Sequence, residues 1–185
     1  MSCTYRDHNH SQIYENKTYK ALKGFNNYPV LTVSWYAADN YCRWAGMRLP
    51  TEAEWEKTSR GGLAKKRFPW GDEIPTGGVI FERRWHDNSE PAPTGPVGNY
   101  HPNGFGIYDM AGNVWEWCSD WYSPAYYKKA PLLNPTGPKS GMEKVLRGGS
   151  WYNTALTLRV AYRNFSPPFA VDDGVGFRCA MSAEE

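Results

Sequence analysis

The residue types that could do chemistry in this sequence are few and scattered. Four cysteines, Cys3, Cys42, Cys118 and Cys179, could ligate zinc or run thiol–disulfide exchange, but none shares a CxxC spacing with another, so neither reading gains support. They read as small buried hydrophobes. His8 and His10 beside Asp7 are metal-ligand types, yet they sit in a polar terminus of the kind that does not hold side chains in place. Lys65-Lys66-Arg67 is too short a run, in a chain of net charge +2, to make a footprint for nucleic acid or a membrane surface, and reads as a solvated loop. The remaining candidate is a surface rather than a reaction centre. Tyr152, Asn153, Thr154, Leu156, Thr157, Tyr162, Asn164, Phe165, Ser166, Pro167, Phe169, Asp172 and Asp173 mix aromatic and small polar side chains without the apolar period of a core face. That is the makeup of a binding face, in which Tyr and Phe supply rigid contact area and Asn, Ser and Thr adaptable hydrogen bonds.

The elements that must position these residues are short. The 185 residues suit one domain, nine tryptophans supply large core groups, and 18 glycines with 14 prolines point to a loop-rich α+β domain instead of a helical bundle. Ser34 is placed to cap a helix over about 35–45, in which Ala38, Tyr41, Cys42 and Ala45 form an apolar stripe and Gly46 a stop. Thr51 and Glu54 have the spacing of a capping box, and the acidic start, basic end and Gly61-Gly62 predict a second helix from Thr51 to about Arg60. Asn113–Cys118 and Val175–Ala180 alternate with period two and read as strands, with Val145–Arg147 as a third. Between Phe68 and Gly106 the chain is rich in Gly, Pro, Asn and Asp, an excursion to be held down by Trp70, Phe81 and Trp85. Residues 1–27 read as a terminal extension or edge element preceding a domain of 28–185. No apolar run is long enough for a membrane span, and no signal-peptide core is evident, so if the protein is exported its targeting segment is not in this sequence.

The segments RLPTEAEWE, FPWGDE, GFGIYDMAGNVWEWCSDWY, LRGGSW and GFRCA stand in one order, and together they resemble the formylglycine-generating-enzyme (sulfatase-modifying factor) family. The resemblance covers about Tyr28 to Ala180 and implies that family's C-type-lectin-like fold, α+β and loop-rich, with a small antiparallel sheet and two helices. Members that oxidise cysteine to formylglycine use two copper-binding cysteines after the Gly-Gly-Ser-aromatic motif. Here Gly148-Gly149-Ser150-Trp151 is followed as far as Arg159 by no cysteine, and soft Cu(I) requires thiolate ligands. The last 35 or so residues are also similar to variable proteins of diversity-generating retroelements, which share the fold and diversify AAC codons. Randomising both adenines of AAC never yields Lys, Glu, Gln, Met or Trp. None of these occurs from Tyr152 to Val175, whereas elsewhere they make up roughly one residue in five.

The resemblance therefore implies a non-catalytic protein that displays residues 152–175 to a variable protein or cell-surface ligand, from a cell surface, as a secreted protein or on a phage particle. The alternative is a formylglycine-generating oxidase, or a non-catalytic accessory module of that family. Leu158-Arg159-Val160-Ala161, Arg163 and Gly176-Phe177-Arg178 would hold the displayed segment, their arginines bonding loop carbonyls from beneath. No cofactor is required. The family's calcium ligands map onto Asp109, Gly112, Val114 and Glu116, whose oxygens suit Ca²⁺, although Glu116 could equally pair with a core arginine. Trp115, Trp117, Trp121 and Trp151 read as core aromatics and not as a sugar-stacking site.

Overall fold

Ser34 and Thr51 open the two helices as their side chains predict. In the computed structural model, which describes residues 13–15, 18–20, 23–84 and 93–182, α1 (Trp35–Trp44) starts where the Ser34 hydroxyl accepts from the Ala37 N–H. At α2 (Glu52–Arg60) the Thr51 hydroxyl accepts from the Glu54 N–H while the Glu54 carboxylate accepts from the Thr51 N–H, a reciprocal box that satisfies two otherwise orphan donors. Gly61 ends α2 in the left-handed region at φ 53°, and a Cβ there would stand 2.7 Å from the Gly104 nitrogen. Only glycine combines that backbone with that approach.

The strands are β1 (Ile13–Glu15), β2 (Thr18–Lys20), β3 (Trp115–Trp121), β4 (Lys144–Arg147), β5 (Asn164–Ser166) and β6 (Val175–Gly176). β1 and β2 form an antiparallel ribbon within the stretch read as an extension or edge element. The other four make one sheet in the order β5-β4-β3-β6. Here the structure corrects one expectation: β3, β4 and β5 are antiparallel neighbours, but β6 joins β3 in parallel, pairing Trp115 with Val175. The expected strand to Ala180 stops at Gly176, and Ala180 instead exchanges both backbone hydrogen bonds with Arg48. The sheet is small and mixed.

The period-two pattern of β3 sorts side chains between two cores, so it does not mark one buried and one wet face. Trp115, Trp117, Leu146 and Val175 pack with Val33, Ala38, Cys42 and Leu49 from the α1 side. The intervening Cys118 and Val145 pack with Trp55 and Met110 from the α2 side. A sheet covered by a helix on each face needs apolar groups at every position, which is why WEWC contains so few exposable residues. The one charge in it, Glu116, is 5% exposed and has partners described below. Phe68, Ala111 and Leu158 form a third cluster against which Val79 and Phe81 pack. That cluster, together with Trp70 stacked on Phe68 at 5.2 Å, anchors the glycine-rich excursion as expected. Trp85, Cys3, Asp7, His8 and His10 lie outside the described residues.

Candidate functional site

The segment after β4 begins with Gly148 and Gly149, both at positive φ, and a Cβ on Gly149 would meet Leu158 Cδ2 at 2.7 Å. This turn sends Trp151 inward, 3% exposed, with its N–H donating to the Asn113 carbonyl. Asn153 Oδ1 then accepts from the Ser150 N–H (3.1 Å) and hydroxyl (2.7 Å), folding the chain back on itself. Leu158 and Val160, each 1% exposed, pin the middle of the segment. Arg147, fully buried on β4, donates to the Val160 and Tyr162 carbonyls at 2.8 Å each, the support from beneath that the reading assigned to other arginines. Arg178 does the same for the Tyr108 and Asp109 carbonyls, and Arg159 for Leu156. Arg163 bonds the Ser123 carbonyl and clasps Glu52.

Between these fixed points none of the candidate binding residues is buried. Tyr152, Thr154, Leu156, Phe165, Phe169, Asp172 and Asp173 are exposed, and Asn153, Thr157, Tyr162, Asn164, Ser166 and Pro167 are half-buried. Leu156 at 56% and Phe169 at 75% contrast with Leu158 at 1%, which separates displayed from structural positions within one short loop. Their surroundings differ, however. The Tyr152 hydroxyl donates to Asp172 Oδ1 (3.0 Å), which also accepts from the Gly174 N–H. Burial and then the Asp172 charge push the Tyr152 pKa up to about 12, so it remains a neutral donor. Phe165, on edge strand β5, stacks instead on Tyr122 at 4.1 Å, and Asn164 and Ser166 pair with β4. Tyr162 packs against the core beside Trp115, so it supports the fold as well as any surface.

The cysteines require a correction. Cys42 and Cys179 are not lone hydrophobes but form a disulfide, with Cα atoms 5.5 Å apart. Cys118 is free and 0% exposed, and burial pushes its thiol well above the ordinary range. A thiol so placed is inert. The two carboxylates of the set mapped to calcium, Glu116 and Asp109, are likewise paired. Arg178 Nε and Nη2 donate to Glu116 Oε2 and Oε1 at 2.6 Å each, and Trp55 Nε1 adds a third bond at 2.6 Å. Asp109 Oδ2 accepts from the Gly98 N–H.

The sequence profile of the sulfatase-modifying factor enzyme 1-like domain matches residues 4–183. The chain belongs to the sulfatase-modifying factor family. It is 48% identical over 174 residues to the formylglycine-generating enzyme of Streptomyces coelicolor, covering 88% of this chain and 55% of that enzyme. It is 40% identical over 167 residues to a mouse protein called inactive C-alpha-formylglycine-generating enzyme 2, covering 84% of this chain and 49% of the relative. The chain thus spans about half the length of these relatives. Among solved structures, Treponema denticola variable protein 1 superposes with a TM-score of 0.69 at 26% identity, over 82% of this chain and 70% of that one. The fold is the C-type-lectin-like one of formylglycine-generating enzymes and variable proteins.

Within this sulfatase-modifying factor domain, the Glu116 carboxylate of the calcium set already faces a cation. A guanidinium 2.6 Å from both Glu116 oxygens supplies the positive charge that the ion would bring, and it also takes the Asp109 carbonyl (3.2 Å). Of the two readings of Glu116, the core arginine is the one that the geometry carries. Sequence reasoning missed two contributors to the displayed surface and its support, Tyr122 and Arg147. Tyr122 follows the WEWCSDW run at the end of β3, and an aromatic just past a strand was a usable signal. Arg147 was legible as a strand residue, but nothing local marks it as the buried strut beneath the loop.

Proposed function

We propose that this domain is non-catalytic and serves to bind a target through the exposed side chains of the 152–173 segment, as variable proteins of diversity-generating retroelements display theirs. The observation that carries this reading is the missing thiol. The 148–159 loop holds no cysteine, and the free thiol among the described residues is buried in the sheet. The name of the mouse relative supports it, as does the likeness to the Treponema variable protein. Exposed Tyr152, Leu156 and Phe169 around a buried Leu158–Val160 strut suit a face whose residues exchange while its frame stays. The target would be a variable protein or cell-surface molecule. A disulfide fits an oxidising setting such as a cell surface, a secreted protein or a phage particle. No helix among the described residues is long and apolar enough to cross a membrane.

The second reading, a formylglycine-generating oxidase or an accessory module of that family, draws on the 48% identity to the Streptomyces enzyme. Incubation with Cu(I), oxygen and a Cys-x-Pro-x-Arg peptide is expected to give no aldehyde above a metal-only control by mass spectrometry. Turnover above that control would install the oxidase reading in place of the binder.

A display role also makes a demand on tolerance. Randomising Thr154, Leu156 and Phe169 together is expected to leave most library members folded, since each exposed change costs no more than about 0.5 kcal/mol. Randomising Leu158 and Val160 is expected to unfold most members, because replacing a buried Leu costs about 2–5 kcal/mol. Protease resistance of the displayed library reads both. Equal losses in the two libraries would remove the distinction on which the display role rests.

A further inference from the structure

The Lys65-Lys66-Arg67 loop is exposed, as the sequence reading has it, and forms one wall of an open surface cavity of about 250 Å³ whose other walls are Arg60 at the end of α2 and, from the segment between Leu158 and Tyr162, Arg159 and Ala161. Every lining residue but Ala161 is cationic. We infer that this cavity binds a doubly charged tetrahedral oxyanion, the phosphate or sulfate group of a small ligand. The inference does not rest on the display role, because the cavity is built by the frame and not by the exposed face.

The charge balance points to an anion. Arg60 pairs with Glu56 at 2.7 Å, but Glu56 also serves the buried Arg147. Lys66 pairs with Asp72 at 2.7 Å, and the same carboxylate accepts from the Arg67 N–H, while among the described residues the Arg67 guanidinium bonds the Asp72 carbonyl and no carboxylate. Lys65 has no carboxylate partner among the described residues. Arg159 donates Nε to the Leu156 carbonyl, which leaves its two terminal nitrogens available. Like charges gathered in a concavity focus a positive potential far more than the same charges spread over a convex surface. The negative end of α2 does not cancel it, since the Thr58, Ser59 and Arg60 carbonyls already accept from Gly61, Asn103 and Leu63.

The cavity is also held in shape. The Val160 N–H donates to the Arg67 carbonyl at 2.8 Å, tying two of its walls together, and Arg60 Nη1 reaches the Lys66 carbonyl at 3.4 Å. Lys65 itself sits in the left-handed region at φ 58°, a backbone state that a non-glycine residue adopts at a cost. The volume is enough for one oxyanion head with part of its hydration. The chain's net charge of only +2 does not favour extended nucleic acid as the occupant.

Titration calorimetry of the full chain with inorganic phosphate, inorganic sulfate and sodium chloride at matched ionic strength tests this. Saturable binding of phosphate and sulfate at about 1 mM or tighter is expected at low salt, with chloride giving none. Lys65→Ala with Arg159→Ala should weaken it about tenfold or more while the chain stays folded. If the double variant unfolds, Lys65→Gln alone, on an exposed side chain, carries the same comparison. Glucose 6-phosphate against glucose 6-sulfate then separates the two sources of the group, and tighter binding of either supports the site. Absence of saturable binding by both anions, or equal affinity in the variants, overturns the inference.

Discussion

Replacing Glu52 by alanine is expected to cost the fold about 3–5 kcal/mol, the range for removing one partner of a buried ion pair. Glu52 is 1% exposed although it stands at the first position of α2. Its Oε1 accepts from Arg163 Nε at 2.7 Å and its Oε2 from Arg163 Nη2 at 2.8 Å, Arg147 Nη1 lies 3.4 Å from Oε1, and the Tyr127 hydroxyl donates at 3.3 Å. Alanine would leave Arg163 without a carboxylate partner among the described residues and the buried Arg147 with Glu56 alone. In a chain of this size the loss corresponds to a fall of roughly 10–15 °C in Tm. Glu52→Leu combined with Arg163→Met should recover part of it, because the pair then leaves together and no lone charge stays buried. Urea unfolding of the three variants gives the comparison. A Glu52→Ala loss below about 1 kcal/mol would show that the cluster is solvated and is not a strut under the displayed segment.

Reducing the Cys42–Cys179 disulfide, or replacing both residues by serine, is expected to cost about 2–5 kcal/mol. The bond joins the last turn of α1 to the chain just beyond β6, across 137 residues, so it removes much of the freedom of the unfolded chain. In the entropic account such a loop lies near the top of the range, about 5 kcal/mol. Loss of the bond should also loosen β6, whose parallel pairing with β3 is only two residues long. Thermal unfolding with and without reductant, and hydrogen exchange at Val175 and Gly176, measure both effects. An unchanged Tm on reduction, with the thiols shown to be free by alkylation, would mean that the packing of α1 against β3 holds this corner unaided.

What the sequence by itself determined is what is decided within a few residues. The Thr51–Glu54 box and the Ser34 cap each depend on neighbours along the chain, and both helices start where these residues place them, whereas the strand expected over Asn113–Cys118 runs from Trp115 to Trp121. The same holds for the absence of a thiol after Gly148-Gly149-Ser150, which is a matter of composition alone. The tertiary structure decided everything set by distance in space. Glu52 carries the signature of a solvated acidic first turn, yet it is buried because two arginines from β4 and the chain before β5 converge on it. Cys42 and Cys179 have no local mark of a partner, and only the packing of α1 beside β6 brings them within bonding reach. Glu116 offered calcium or an arginine with equal right until Arg178 was placed against it. Lys65-Lys66-Arg67 is the solvated loop that its sequence suggests, but that Arg159 stands beside it, more than ninety residues further along the chain, is visible only in the fold. Local propensity acts over a single turn or strand, whereas ion pairs, disulfides and cavities are properties of the surfaces that folding brings face to face.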